Sequence, residues 1–318
     1  MYGEMIRRTL DLRSWEGAQK IVRDWEVNGI DTVIGLEIAF ERFLEDHRVN
    51  YSAPDTTAKH RRMKTMMLDF FGDRAIKSLT VDEIAEFRES WTFGPTTAIN
   101  TINRLRAFFN FCIDRDWVEK NPASKLKLPK ILEIERKPYE AEELVKIWQA
   151  VDEFPNWGIY GTHTRERLRA FITVLRWTGL RISDVVRLEW SSIKEGQITI
   201  RTTKNKKRVS IPLHPSVEVA LEAMSKGQYI FWSGEGTLKS GINAWERTMK
   251  RLSKIAKFRV HPHRFRHNFA TELLSKGVPV SEVAAILGNS PKIVEKVYAQ
   301  WIDGRQQAVN AAVRAAWS

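Results

Sequence analysis

The run HPHRFRHNFATELLSKGVPVSEVAAILGNSPKIVEKVYAQW, residues 261–301, constrains the architecture more than any other stretch. A proline at 262 suits the first turn of a helix, where its missing N–H is not needed. His263, Arg266 and His267 follow at once, so their side chains occupy adjoining faces of the first turns. Gly277 ends that pattern. Val283, Ile286 and Leu287 then recur at helical spacing between Ser281 and Leu287, and a third helical piece from Pro291 carries Ile293, Val294, Val297 and Tyr298. The phenol therefore returns toward the centre of the molecule.

At 318 residues the chain has room for two ordinary domains, and a content of 43% hydrophobic and 28% charged residues is globular. The formal charge of +12 and a pI near 9.7 favour a polyanionic partner, nucleic acid ahead of a membrane surface. No run approaches the ~20 apolar residues of a membrane span, and the N-terminus lacks the apolar region of a signal peptide, so no membrane partner and a cytoplasmic location are expected. The single cysteine, Cys112, excludes an internal disulfide; among Phe108, Phe109 and Phe111 it reads as a small buried hydrophobe.

Residues 1–30 hold one helical stripe (Trp15, Ala18, Val22, Trp25), too little to fold alone. From 31 to 128 four amphipathic segments predict a small helical bundle. The first carries Val33, Leu36, Phe40, Phe43 and Leu44 on one stripe; the second turns Met63, Met67 and Phe70 inward; the third opens on a Thr80–Glu83 capping box; the fourth repeats Ile102, Leu105, Phe109 and Cys112. Lys59, His60, Arg61, Arg62 and Lys64 form a basic cluster on the second, and Arg104 lies on the fourth. Prolines at 122, 129 and 138 and recurrent lysines, among them Lys125 and Lys127, read as an extended segment able to lie along a phosphate backbone, with the linker proper at 129–138. The second domain, 139–318, begins helically, has a core helix stopped by Gly179, then switches period at QITIRTTKNKKRVSIPL, two strands joined by a turn near Asn205. The alanine-rich tail, with Ala308, Ala311, Ala312 and Ala315, needs a docking surface, such as a neighbouring copy.

An arginine, two histidines and a phenol make sense together around a phosphate whose ester bond is exchanged. TGLRISD with Arg181, a lysine in the hairpin turn, HRFRH with His263, Arg266 and His267, and VYAQW with Tyr298 resemble, in order and spacing, the tyrosine recombinase (phage integrase) family. The match spans the second domain to about residue 300, and the bundle with its NPASKLKLP segment is similar to the family's core-binding domain. The resemblance implies a mainly α fold with a small β-hairpin or sheet, arranged as a two-domain, C-shaped clamp on duplex DNA. Arg181 and Arg266 would hold the non-bridging oxygens, Tyr298 would attack, His263 would take its proton, and a turn lysine would protonate the leaving 5′ oxygen. Lys204 heads the turn, with Lys206 and Lys207 as rivals. Many members have LGH where this chain has LGNS; Asn289 can still donate a hydrogen bond to a phosphate oxygen, so weakened rather than absent chemistry is expected. Neither a cofactor nor a metal is implied. His263 and His267 at i, i+4 could ligate zinc, but Arg264 and Arg266 repel a cation, and no cysteine or carboxylate stands close in sequence.

The implied activity is site-specific DNA recombination or integration through a 3′-phosphotyrosyl intermediate, in a homotetramer on double-stranded DNA with exchange of C-terminal helices. Alternatives are a catalytically silent DNA-binding relative and a type IB topoisomerase. Residues 1–30 look like the end of an arm-binding module.

Overall fold

The computed structural model describes residues 19, 34–50, 54–131, 137–155, 164–204, 206–224 and 227–317, of which 54, 299–309, 311 and 312 by backbone alone. The stripe at 1–30, Val33 and Asn205 lie outside the described residues. The chain divides into two compact units, Met1–Glu133 and Ile134–Ser318.

The first unit is a bundle of α1 (Leu36–Val49), α2 (Pro54–Phe71), α3 (Val81–Glu89) and α4 (Pro95–Ile113). Each helix turns one apolar stripe to a shared core, where the Phe40 and Phe108 rings stack with centroids 3.8 Å apart and Met63, Met67, Ile102, Leu105, Phe109 and Cys112 are buried. Burial pushes the Cys112 thiol up to about 12, which keeps it inert. The Thr80 capping box forms as expected: the Thr80 hydroxyl accepts the Glu83 N–H and the Glu83 carboxylate accepts the Thr80 N–H. That backbone hydrogen bond, helped by Arg74, holds the Glu83 carboxyl down at about 2.

Two expectations need correction here. Phe71, not Phe70, is the inward ring; Phe70 is 43% exposed and lies against Phe71 and Phe87. Residues 121–126 are not an extended strap either. Arg106 donates to the carbonyls of Ala123, Ser124 and Leu126, and Asn121 donates to the Arg106 carbonyl and the Asn110 side chain. Those bonds fold the segment onto α4 and bury Ala123 and Leu126 in the bundle core.

The second unit contains α5 (Ala141–Asp152), α6 (Arg165–Thr178), α7 (Ile182–Val186), β1 (Ile193–Lys194), β2 (Gln197–Arg201), β3 (Arg208–Pro212), α8 (Pro215–Glu222), α9 (Leu238–Ala256), α10 (Pro262–Ser275), α11 (Val280–Leu287) and α12 (Pro291–Trp317). The predicted hairpin is β2–β3, with Ile198 opposite Ile211 and Ile200 opposite Val209; the short β1, missed in the sequence, adds an antiparallel edge strand. Helix α6 is the central post, burying Leu168, Phe171, Ile172 and Leu175, with Phe171 stacked on Trp245 of α9 at 3.7 Å. Gly179 ends it in the left-handed region (φ 60°). The tail is not a separate helix. Residues 291–317 form one helix across Gly304, because one glycine costs only about 1 kcal/mol in a helix interior relative to alanine.

Candidate active site

The best-anchored side chain belongs to Arg266, which projects from the second turn of α10 and is 3% exposed. Its Nη1 donates to the Gly179 carbonyl (2.9 Å) and its Nη2 to the Leu287 carbonyl (2.6 Å). Those carbonyls close α6 and α11, so the cation sits between two helix C-termini, where partial negative charge collects. Burial first, and the neighbouring Arg181 cation second, bring the guanidinium down to about 10, which leaves it charged at neutral pH.

Arg181 caps α7 directly after the Gly179–Leu180 turn, and its side chain is 16% exposed. Its Nη2 donates to Asn289 Oδ1 at 2.8 Å. A guanidinium only donates, so this contact fixes the asparagine with its oxygen toward Arg181 and its NH2 free to donate elsewhere. Arg181 Nη1 is buried with no hydrogen-bond partner among the described residues, and Asp184 Oδ2 lies 3.9 Å from it. Two like charges, with an orphaned donor on one of them, make a place for a tetrahedral anion.

The hairpin turn is tied to this centre at two points. The buried Asp184 accepts the Thr203 N–H through Oδ1 at 2.6 Å, and Lys207 Nζ donates to the Asn289 carbonyl at 3.2 Å. Asp184 therefore anchors the turn as well as facing Arg181. Lys204 and Lys206 are exposed in the turn. Tyr298, in the second turn of α12, is 4% exposed and near enough to Arg266 for each to affect the other's charge. Burial pushes its phenol up to about 12, against a smaller opposite effect of Arg266. The ring beside it is that of His267, with centroids 5.4 Å apart; His263 is exposed and meets His267 edge-on at 5.1 Å. A cavity of about 410 Å³ adjoins the centre and is lined by Arg181, Ser183, Glu246, Lys250, Arg259 and His263, among others.

Arg181, Arg266, Asn289 and Tyr298 are thus brought together, with His263 one ring away and Lys204 on the attached turn. The anchoring carbonyls of Gly179 and Leu287, the Asp184–Thr203 tie and the Lys207 contact were not read from the sequence. Backbone acceptors carry no residue signature, and only the glycine stop at 179 hinted at one. On the bundle, Lys59, Arg61, Arg62, Lys125 and Lys127 are exposed and Arg104 is half-buried, but His60 is no part of the basic surface: it is 4% exposed and packs on Phe43 and His47. Lys64 differs, because its ammonium bridges Glu37 (2.9 Å) and Glu41 (3.3 Å) and ties α2 to α1.

A paired-guanidinium anion pocket with a buried phenol at its edge has the chemistry that phosphoryl transfer through tyrosine needs. The chain belongs to the phage integrase family, whose profile matches residues 139–303. It is 27% identical over 290 residues to the tyrosine recombinase XerC of Oceanobacillus iheyensis, covering 83% of this chain and 91% of that one. Among solved structures it resembles a lambda integrase tetramer bound to a Holliday junction (TM-score 0.69, 18% identity, 86% of each chain). It also resembles the Tn1549 transposon integrase in complex with circular intermediate DNA (TM-score 0.62, 19% identity, 83% and 95%).

Proposed function

We propose that Tyr298 is the nucleophile of a site-specific DNA recombinase, cutting and rejoining strands at one phosphodiester held by Arg181 and Arg266. The membership in the integrase family gives the reaction class; the observation that carries the residue assignment is the shared anion pocket of the two arginines beside the phenol. The Tyr298 oxygen attacks phosphorus and its proton is taken or shared by His263, the imidazole on the far side of His267. The 5′ oxygen leaves with a proton from Lys204, and a 3′-phosphotyrosyl bond remains. Lys204 suits that part because it heads the turn next to Thr203, whose N–H Asp184 holds, whereas the Lys207 ammonium is engaged by the Asn289 carbonyl; Lys206, exposed in the same turn, is the rival. Attack by another strand's 5′ hydroxyl reverses each step, and the stored ester energy makes a nucleotide cofactor unnecessary. The NH2 of Asn289 donates to a phosphate oxygen in place of the histidine found in many relatives.

Double-stranded DNA is the partner. The charge of +12 supports it, as do the exposed Lys59, Arg61, Arg62, Lys125 and Lys127 and the half-buried Arg104; Lys64 contributes through helix packing. The likeness to a lambda integrase tetramer on a Holliday junction supports a four-copy assembly, with the exposed Val313 and Trp317 of the α12 tail docking on a neighbour. The reaction belongs to the bacterial cytoplasm or nucleoid.

The test is a nicked duplex from DNA flanking the gene, on which cleavage is trapped. A covalent protein–DNA adduct that disappears in Tyr298→Phe while binding persists is the expected result. Salt-sensitive binding with no adduct would leave a silent DNA-binding protein, and plasmid relaxation without exchange between sites would indicate topoisomerase action.

A further inference from the structure

Helix α10 has two working faces. His263, Arg266 and His267 serve the site, while Arg264 and Asn268, four residues apart and so on one side of the helix, grip the chain where it enters the second unit. Asn268 treats Tyr139 as a strand treats its neighbour: Oδ1 accepts the Tyr139 N–H and Nδ2 donates to the Tyr139 carbonyl, both at 2.8 Å. The Arg264 guanidinium donates to the carbonyls of Lys137 (3.1 Å) and Pro138 (3.0 Å), holds both oxygens of Glu143 on α5, and lies 3.9 Å over the Tyr139 ring. The Tyr139 hydroxyl closes the loop. It accepts the His261 N–H at 2.6 Å and donates to the His261 carbonyl at 3.1 Å, gripping the residue that caps α10 two positions before His263.

Tyr139 is 3% exposed, so its own N–H and carbonyl have no water to fall back on and depend on Asn268. Main-chain polar groups at Lys137, Pro138, Tyr139 and His261 are satisfied by side chains of Arg264, Asn268 and Tyr139, which ties the entry of the chain and the rotational setting of α10 into one body. The segment upstream carries Lys125, Lys127 and Lys130, charges suited to lie on DNA.

We infer that Tyr139, Arg264 and Asn268 are positioning residues for strand transfer: they set the rotation of α10, and hence the aim of His263 and Arg266, from the path of the polypeptide entering the unit. The inference rests on the strand-transfer reading given above. None of the three touches the reacting phosphate. Their effect passes through the helix, and a displacement of about 1 Å at a reacting group is enough for a hundredfold loss of rate.

The experiment uses the full chain on the nicked duplex, with cleavage measured under single turnover against DNA concentration for Tyr139→Phe and Arg264→Ala. Leu221→Ala, a buried position on α8 that is no part of this lock, serves as a control for destabilisation. The expected result is a rate at saturating DNA lowered about tenfold to a hundredfold, half-saturation within about twofold of wild type, and a control that keeps its rate despite an equal loss of melting temperature. Rates that follow melting temperature along one line with Leu221→Ala, or a loss confined to half-saturation, overturn the inference. An absent wild-type adduct overturns the strand-transfer reading instead. The lock is then judged by the imidazole titrations of His263 and His267, expected to shift in Tyr139→Phe and not in Leu221→Ala; unchanged titrations overturn it.

Discussion

Replacing Gly179 by alanine tests whether the turn that ends α6 is also the anchor of the phosphate site. The residue sits at φ 60°, and its carbonyl receives Arg266 Nη1. A side chain in the left-handed region costs about 1–2 kcal/mol. The new methyl carbon would lie 2.5 Å from Phe269 Cδ1 and 3.1 Å from Leu287 Cδ2. Both belong to the core, so relieving the overlap adds about 1–3 kcal/mol. The sum, about 2–5 kcal/mol, is a large share of the ~5–15 kcal/mol that typically holds a domain together. Phe269 and Leu287 flank the two ends of the Arg266 cradle, so the same displacement moves the guanidinium. Urea unfolding followed by tryptophan fluorescence should show a lowered midpoint with an unchanged slope. Adduct formation per folded molecule should fall at least about tenfold. Gly288→Ala, at φ 61° with its nearest contacts at 3.2 and 3.3 Å, should cost less. A Gly179→Ala protein with a wild-type midpoint, or one that is destabilised but cleaves at the wild-type rate, would refute the linkage between cap and cradle.

Lys204→Ala should slow cleavage by about 10² to 10⁴, the usual worth of a general acid, with Lys207→Ala far less affected; equal losses in single-turnover assays would reassign the acid. Asn289→Ala removes the acceptor of Arg181 and should lower the rate about tenfold to a hundredfold at unchanged DNA affinity, whereas Asn289→His should remain active. In the bundle, burial, aided by His47 and Arg104, brings His60 down to about 4. The native state disfavours the charged ring, so its contribution to stability is present above about pH 6.5 and is lost as pH falls through 4. Acid unfolding of the full chain should show that window, and His60→Phe should flatten it.

Local signals were the legible ones. The capping box at Thr80, the glycine stop at 179 and the proline start at 262 each depend on neighbours within a few residues, and each stands as read. The clustering of Arg266, Arg181 and Tyr298 followed from a resemblance in motif order, not from any local pattern. What stayed hidden was long-range and often main-chain: Arg266 to the Gly179 carbonyl across 87 positions, Tyr139 to Asn268 across 129, Asp184 to Thr203 across 19. Two adjacent phenylalanines satisfy a helical stripe almost equally and both rings meet Phe87, so only burial in the bundle core selects Phe71 over Phe70. Prolines at 122 and 129 suggested extension, but the bonding power of Arg106 and Asn121 outweighed them.

Tyr298 stands near the start of a helix that continues unbroken to Trp317. At about 1.5 Å per residue the remaining nineteen positions reach roughly 28 Å beyond the phenol. A rod of that length is a lever: a few degrees of tilt at its far end become a fraction of an ångström at the phenolic oxygen. On the proposed role of Tyr298, whatever holds Trp317 would have a mechanical hand on the timing of bond breakage.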